Sequence, residues 1–265
     1  MTKDIIHFAH ANGFPARTYS KLFSFLAPHF EIRYLERHGH NPAFPVTDGW
    51  AELRDELAAD IESRSTAPVV GVGHSLGGIL HFLAAVERPE IYKQIILLDA
   101  PIISRLSSGG LRILKTLKLI DRYSPSQMTR FRRNLWENRE VALAHFAEKP
   151  KFAAFDPDVL RDYVEHGIVQ GEQGLELFFE RRIEARIYRT IPHSLPAFRG
   201  RLSVPAAYIG GTNSEEARLA RLGFMKKHFP FDFYSVEGSH LFPLEKPFET
   251  AATILDVVPL TVHPE

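Results

Sequence analysis

Two hydrophobic periods alternate along the first hundred residues. Residues 5–9 (Ile-Ile-His-Phe-Ala) form a short apolar run, as a strand buried on both faces does. Tyr19, Leu22, Phe23 and Leu26 then recur at helical spacing, and residues 32–35 return to a strand pattern. Trp50, Leu53, Leu57, Ala58 and Ile61 mark one face of a helix, with Asp48 placed to cap it. Residues 69–72 read as a third strand, 76–86 as a helix and 95–98 as a fourth strand. Strands alternating with helices predict a parallel sheet covered on both faces.

The alternation stops at Pro101 and resumes after Arg201. Between them the stripes are helical: Leu111, Leu114, Leu117 and Ile120; Val159, Leu160, Tyr163 and Val164; Leu175, Phe178, Phe179 and Ile183. No strand is predicted there. Beyond it come a strand at 205–209, a helix at 214–228, a strand at 231–236 and a helix at 247–258. The expected organisation is an α/β core of residues 1–100 and 202–265, interrupted by a helical insertion of residues 101–201.

Composition narrows the chemistry. The chain has no cysteine, which excludes disulfides, Cys-ligated zinc, iron–sulfur clusters and a thiolate nucleophile. With 32 Lys+Arg and 32 Asp+Glu there is no global basic excess of the kind a nucleic-acid binder carries. The neutral total hides an asymmetry. Residues 101–201 hold 18 Lys+Arg against 12 Asp+Glu, leaving 14 against 20 elsewhere. A basic insertion on an acidic core favours their docking, and is expected to draw anionic substrates. No stretch approaches the roughly 18 apolar residues of a membrane span, and the apolar run after Met1–Asp4 is too short for a secretory leader. The expected location is cytoplasmic, with no membrane insertion.

The most informative motif is Gly73-His74-Ser75-Leu76-Gly77, G-x-S-x-G between a predicted strand and a predicted helix. A nucleophile on so sharp a turn needs small neighbours two residues to either side, and the turn lifts the Ser75 hydroxyl above the sheet. The Leu76 amide faces the same point at the helix N-terminus. The competing readings are a dinucleotide fingerprint, which lacks its third glycine at Leu76, and a plain helix cap at Ser75. A nucleophilic serine needs a histidine base on a loop at the same sheet edge, and His240 in Gly238-Ser239-His240-Leu241-Phe242-Pro243 follows the last predicted strand. The others fit less well: His7 lies in a strand, His145, His166 and His193 in the insertion, His228 at a helix end and His263 in the tail. His38 and His40 flank Gly39 without a third ligand at suggestive spacing, so no metal is expected. The loop His10-Ala11-Asn12-Gly13-Phe14-Pro15 follows the first strand, where Asn12 or Phe14 would give the second oxyanion amide beside Leu76.

Residues 10–15, 37–42, 73–78 and 238–243 together resemble the α/β-hydrolase fold superfamily, serine hydrolases with a helical cap. The resemblance implies a Ser–acid–His triad, no cofactor, and hydrolysis of a small-molecule ester or related acyl substrate. Dehalogenases and epoxide hydrolases of this layout use an Asp nucleophile, and Ser75 argues against both. One feature departs from the family pattern. Its acid usually stands where this chain has Asn213, in Gly210-Gly211-Thr212-Asn213-Ser214-Glu215-Glu216. That segment also reads as a capping box, Thr212 with Glu215 or Asn213 with Glu216. Asp99 is the leading alternative acid, because it ends the strand next to the elbow strand and some family members carry their acid there. Glu215, Glu216 and Asn213 itself stay open. A weak or inactive binding protein on this fold, and a C–C, thioester or lactone hydrolase or acyltransferase, are the other readings. Phe131, Trp136, Phe146, Phe152, Phe155, Phe178, Phe179 and Phe198 are expected either to wall the pocket or to pack the cap together.

Overall fold

The computed structural model describes residues 3–258; His263 lies outside them. In chain order the strands are β1 (Asp4–Ala9), β2 (Phe30–Tyr34), β3 (Val69–His74), β4 (Tyr92–Leu98), β5 (Leu135–Trp136), β6 (Ile168–Gln170), β7 (Leu175–Leu177), β8 (Ala206–Gly211) and β9 (Phe231–Val236). Six of them form one sheet in the order β2-β1-β3-β4-β8-β9, and every pairing is parallel. The principal helices are α1 (Ser20–Leu26), α2 (Ala51–Arg64), α3 (Leu76–Glu87), α4 (Arg105–Thr116), α5 (Ser126–Phe131), α6 (Arg139–Ala147), α7 (Pro157–Gly167), α8 (Arg181–Arg189), α9 (Glu215–Ala220), α10 (Gly223–His228) and α11 (Pro247–Val257).

Strand alternation sorts the core into two layers. Ile6, Phe8, Val70, Val72, Ile96 and Leu98 pack with Leu22 and Leu26 of α1 and with Ala251 and Ile254 of α11. Ala9, Val69, Ile95 and Leu97 face the other way, onto Leu53 and Leu57 of α2 and Leu80 and Leu83 of α3. Both faces are therefore covered, which is why these strands read as continuous apolar runs. No helix among the described residues is long and apolar enough to cross a membrane.

The structure departs from the sequence reading in four places. Residues 101–201 are not purely helical. β5, β7 and β6 make a small antiparallel sheet, so Leu175 begins a strand and helix α8 starts only at Arg181. Strands of two or three residues are too short to leave a period. Asp48 does not cap α2; Trp50 holds that position with φ 63°, and Asp48 pairs with Lys115 instead. The segment at 214–228 is two helices, because Arg221 turns left-handed at φ 53° and ends α9. The capping box shifts by one residue, since Ser214 is the N-cap and accepts from the Ala217 amide at 3.0 Å.

The tightest packing lies where α3 crosses the sheet. A methyl on Gly77 would sit 2.0 Å from the Ala9 carbonyl oxygen, and one on Gly73 would sit 2.3 Å from the Gly77 carbonyl carbon. Both obstacles are backbone and cannot swing aside. Gly77→Ala is therefore expected to lower unfolding free energy by about 3 kcal/mol or more in urea titration. Gly109, inside α4 with nothing within 4 Å of an added methyl, is the contrast. Gly109→Ala should stabilise by about 0.5–1 kcal/mol, and equal effects at the two positions would refute the packing argument.

Candidate active site

The C-terminal ends of β3, β4 and β9 bring three loops together. After β3 the chain turns through Ser75 at φ 52° and ψ −110° directly into α3. The Ser75 amide donates to the Leu98 carbonyl at 2.9 Å, which ties the turn to the end of β4. No side-chain cap bond forms, so the hydroxyl is not engaged as a helix cap. A non-glycine residue at that φ and ψ is strained, and such strain persists only where the surroundings impose it.

The Ser75 hydroxyl meets His240 Nε2 at 3.0 Å, and His240 Nδ1 meets Asp99 Oδ2 at 2.6 Å. Asp99 immediately follows β4, is fully buried and has φ 44°. Its Oδ1 accepts from Tyr208 Oη at 3.0 Å and from the Gly211 amide at 3.4 Å, while the Ser214 hydroxyl donates to Oδ2. Burial alone would raise the Asp99 carboxyl, but the hydrogen bond and charge of His240, helped by Ser214 and Tyr208, hold it below its ordinary value. Asp99 is thus an ionised acceptor, and His240 carries its proton on Nδ1. That tautomer leaves the Nε2 lone pair facing Ser75.

The loop carrying His240 is itself pinned. The Ser239 amide donates to Glu245 Oε2 at 2.9 Å, the Ser239 hydroxyl donates to Glu245 Oε1, and the Leu241 amide donates to Ser239 Oγ at 3.0 Å. Gly211 lets this loop close over β8, because a methyl there would lie 2.2 Å from the Ser239 carbonyl.

The other candidate acids stand apart. Asn213 is exposed, and its amide donates to the Gly238 carbonyl at 2.8 Å. Glu215 is exposed and faces Arg218 at 3.4 Å. Glu216 Oε2 comes within 4.0 Å of His240 Nδ1, beyond hydrogen-bond reach and with its side chain 48% exposed. Asp99, Glu216 and His240 also cluster closely enough to suggest a cation site, but Asp99 and His240 already bond each other. His38 and His40 are drawn into local structure: the His40 ring bonds the His38 carbonyl and accepts from the Glu180 amide.

On the opposite side lies the loop after β1. The approach of Gly77 to Ala9 sets the start of α3 against it, and the first amides of α3, beginning at Leu76, have no partner within the helix. The Phe14 amide donates to the Ala11 carbonyl at 3.1 Å, closing a turn, and so is engaged within its own loop. Among the described residues no carbonyl accepts the Asn12 amide. His10 shapes the loop: its Nδ1–H donates to the Ala11 carbonyl at 2.8 Å and its Nε2 accepts from the His38 amide at 2.9 Å. Burial pushes the His10 imidazole down to about 4, so it stays neutral.

Tyr19 and His74 were not singled out from sequence, yet they join the two sides. The Ala11 amide donates to Tyr19 Oη at 3.3 Å, Tyr19 donates to His74 Nδ1 at 2.7 Å, and His74 Nε2–H donates to the His240 carbonyl at 2.9 Å. Burial holds His74 down to about 3, which keeps it neutral and able to bond at both nitrogens. Tyr208 and Ser214 were also missed. Tyr208 read as a strand residue and Ser214 as a helix start, and only the fold shows both meeting Asp99.

Most insertion aromatics pack structure rather than open space. Phe146, Phe152, Phe155 and Tyr163 interlock with Phe14, with ring centroids 4.9–6.0 Å apart. Trp136 packs at a tilt against Phe146, Phe178 lies 4.0 Å under the Arg37 guanidinium, Phe179 meets His10 and His40, and Phe198 meets Phe82. Phe131 is 74% exposed.

Comparison with known proteins agrees with this architecture. The chain matches E-2-(acetamidomethylene)succinate hydrolase with a TM-score of 0.75 and 19% identity, over 97% of this chain and 91% of that one. A thioesterase domain from the curacin biosynthetic pathway gives a TM-score of 0.72 and 14% identity, covering 96% and 91% of the two chains. At these identities the likeness is one of fold. In sequence, the Abhydrolase domain-containing protein AFT2-1 of Alternaria alternata is 36% identical over 110 residues, which is 42% of this chain and 37% of that protein. The match therefore spans well under half of this relative's length. The profile of the alpha/beta hydrolase family matches residues 8–253, nearly the whole chain, and this chain belongs to that family.

Proposed function

We propose that this chain is a serine hydrolase that cleaves a small carboxylic ester or related acyl compound through an acyl-enzyme. The observation carrying this reading is the unbroken chain from Ser75 Oγ through the His240 ring to a buried, ionised Asp99. Ser75 Oγ attacks the acyl carbonyl carbon while its proton passes to His240 Nε2. The carbonyl oxygen becomes an oxyanion, stabilised by the Leu76 and Asn12 amides. The C–O bond to the leaving group breaks, and His240 returns the proton to that oxygen. Water, deprotonated by His240, then attacks the acyl-serine and releases the acid and free Ser75. Asp99 stabilises the imidazolium in both halves. The thioesterase and the enol-lactonase from Burkholderia xenovorans among the fold neighbours act, by their names, on acyl carbonyls as well, so thioester and lactone hydrolysis belong to the same proposal.

A binding protein on this fold would have no need of an aligned Ser–His–Asp chain. The test is covalent labelling with a fluorophosphonate probe beside turnover of p-nitrophenyl butyrate. The parent should label at one site and hydrolyse the ester, while Ser75→Ala should do neither. Unlabelled parent protein, or turnover that survives Ser75→Ala, would reject the reading.

A further inference from the structure

Helix α4 turns its apolar stripe toward solvent. Leu106, Ile113 and, just past its end, Leu117 are spaced seven and four residues apart and so share one face. All three are exposed, Leu106 by 88%. The opposite face carries Ser108, which is buried, and Lys115, which pairs with Asp48 and donates to the Ile191 carbonyl. Helix α5 repeats the arrangement: Ser126 and Thr129 are buried, while Met128 and Phe131 are exposed by 77% and 74%. A helix that only has to cover a core in water buries its apolar stripe and leaves its hydroxyls outside. These two do the reverse, and together they present five large apolar side chains, which marks an interaction surface.

The charge around them is one-sided. Residues 105–133 hold eight Lys+Arg and a single acid, Asp121. Asp121 is already engaged by Arg189 and by the Ser126 hydroxyl, each at 2.5 Å. Lys115 is held by Asp48, and Arg132 by Glu184. Arg105, Arg112, Lys118, Arg122, Arg130 and Arg133 are exposed, and among the described residues none of them has a carboxylate within salt-bridge distance. Much of the basic excess of the insertion is therefore unneutralised and interleaved with exposed apolar side chains. The surface is also linked to the candidate site's surroundings. Arg132 follows α5 and pairs with Glu184 of α8, whose carbonyl accepts from Asn12 Nδ2 of the loop after β1 at 3.1 Å.

Charge and shape select the occupant. A second copy of this chain would bring an equally basic face, and the two would repel. A folded acidic partner would supply the charge, but its anchors need pockets to enter, whereas here aliphatic chains protrude singly between cations. A fluid bilayer accepts protruding apolar chains at its acyl boundary while anionic headgroups meet the cations around them. The long stems of Arg and Lys reach from the apolar level to those headgroups. We infer that the α4–α5 segment of the insertion is a docking surface for an anionic phospholipid membrane, on which the protein lies without crossing it.

Co-sedimentation of the full chain with vesicles tests this. The probes are vesicles of phosphatidylcholine alone and of phosphatidylcholine with about 30% phosphatidylserine. The anionic vesicles should bind at least about tenfold more tightly, and the advantage should shrink as salt rises from about 0.1 to about 0.5 M. Joint substitution of Leu106→Ser, Ile113→Ser and Leu117→Ser should weaken binding to anionic vesicles by at least about tenfold. The urea midpoint should stay unchanged, because all three side chains are exposed. Joint substitution of Arg112→Gln, Lys118→Gln and Arg122→Gln should bring the anionic vesicles close to the neutral ones. Leu106→Trp should shift its emission to the blue when anionic vesicles are added, over the constant signal of the buried Trp50 and Trp136. No binding to anionic vesicles, or binding that survives both triple substitutions, would overturn the inference. So would a dimer that the apolar substitutions dissolve, which would assign the face to a second copy. Binding to poly-glutamate as tight as to anionic vesicles and indifferent to the apolar substitutions would assign it to an acidic protein instead, and would equally overturn it.

Discussion

Asp99→Asn is expected to lower kcat on p-nitrophenyl butyrate by about 10³–10⁴-fold, and to cost about 1–3 kcal/mol of folding stability because the buried Ser214 hydroxyl loses its acceptor at Oδ2. The substitution keeps size and shape, and Asn tolerates the left-handed backbone at φ 44°. Oδ1 would still accept from Tyr208 and the Gly211 amide. The change falls on the other atom. An amide Nδ2 in place of Oδ2 donates to His240 Nδ1, which forces the imidazole proton onto Nε2. Nε2 then points a hydrogen at Ser75 and cannot take its proton. Glu216 is the internal control: Glu216→Gln should change kcat by less than about threefold, because an exposed carboxylate 4.0 Å away contributes little. Full activity in Asp99→Asn with loss in Glu216→Gln would reverse the assignment. Stopped-assay rates over a pH series distinguish the cases, since a lost orienting acid lowers the plateau as well as moving the profile.

The second large effect is thermodynamic. Between pH 7.5 and pH 5 the protein is expected to lose several kcal/mol of unfolding free energy, read by urea titration. His7, His10, His38, His74 and His81 are all fully buried. Burial lowers each of them, His10 to about 4 and His74 to about 3, while in the unfolded chain a histidine titrates near 6.5. Depressed folded values mean the stability is complete above 6.5 and drains as pH falls toward the folded values, because the unfolded chain binds protons the native state refuses. At pH 5 His10 and His74 each withdraw about 2 kcal/mol, so these two account for about 4 kcal/mol of a total typically 5–15, and His7, His38 and His81 add in the same direction. Three carboxyls oppose them, since burial raises Asp162 and Glu184 as well as Glu56. Glu56 is raised by burial to about 7, so its protonation stabilises the native state as pH falls from 7 toward 4.5. It offsets at most about 3 kcal/mol. The emission of the buried Trp50 and Trp136 reports the transition. A midpoint unchanged from pH 7.5 to pH 5 would mean that these imidazoles protonate in place.

What could be read from the chain follows from how local each signal is. The elbow is legible because strand, sharp turn and helix are consecutive, and packing requires glycine at 73 and 77 whatever lies elsewhere. His240 and Asp99 are legible as positions, since each follows a strand whose C-terminal end must lie on the same edge. The choice of Asp99 over Asn213 is not legible. It depends on Tyr208, Gly211 and Ser214 surrounding one carboxylate, and those contacts span more than a hundred residues. Trp50 in a left-handed cap and the short strands β5–β7 carry no periodicity. The choice between Asn12 and Phe14 turns on one backbone hydrogen bond, which composition cannot show.

The chain of bonds from Ala11 through Tyr19 and His74 to His240 has a kinetic consequence. It joins the loop after the first strand to the loop after the last, and its closing bond spans 166 residues; the Ser75–His240 contact spans 165. Contacts of that separation form late, once loop closure has been compensated by the sheet between them. No fragment of this chain can hold the site, and an intermediate with a finished β1–β4 half would be collapsed but inert. Recovery of activity during refolding therefore times the docking of β8 and β9, the last step of sheet assembly, rather than the formation of the core.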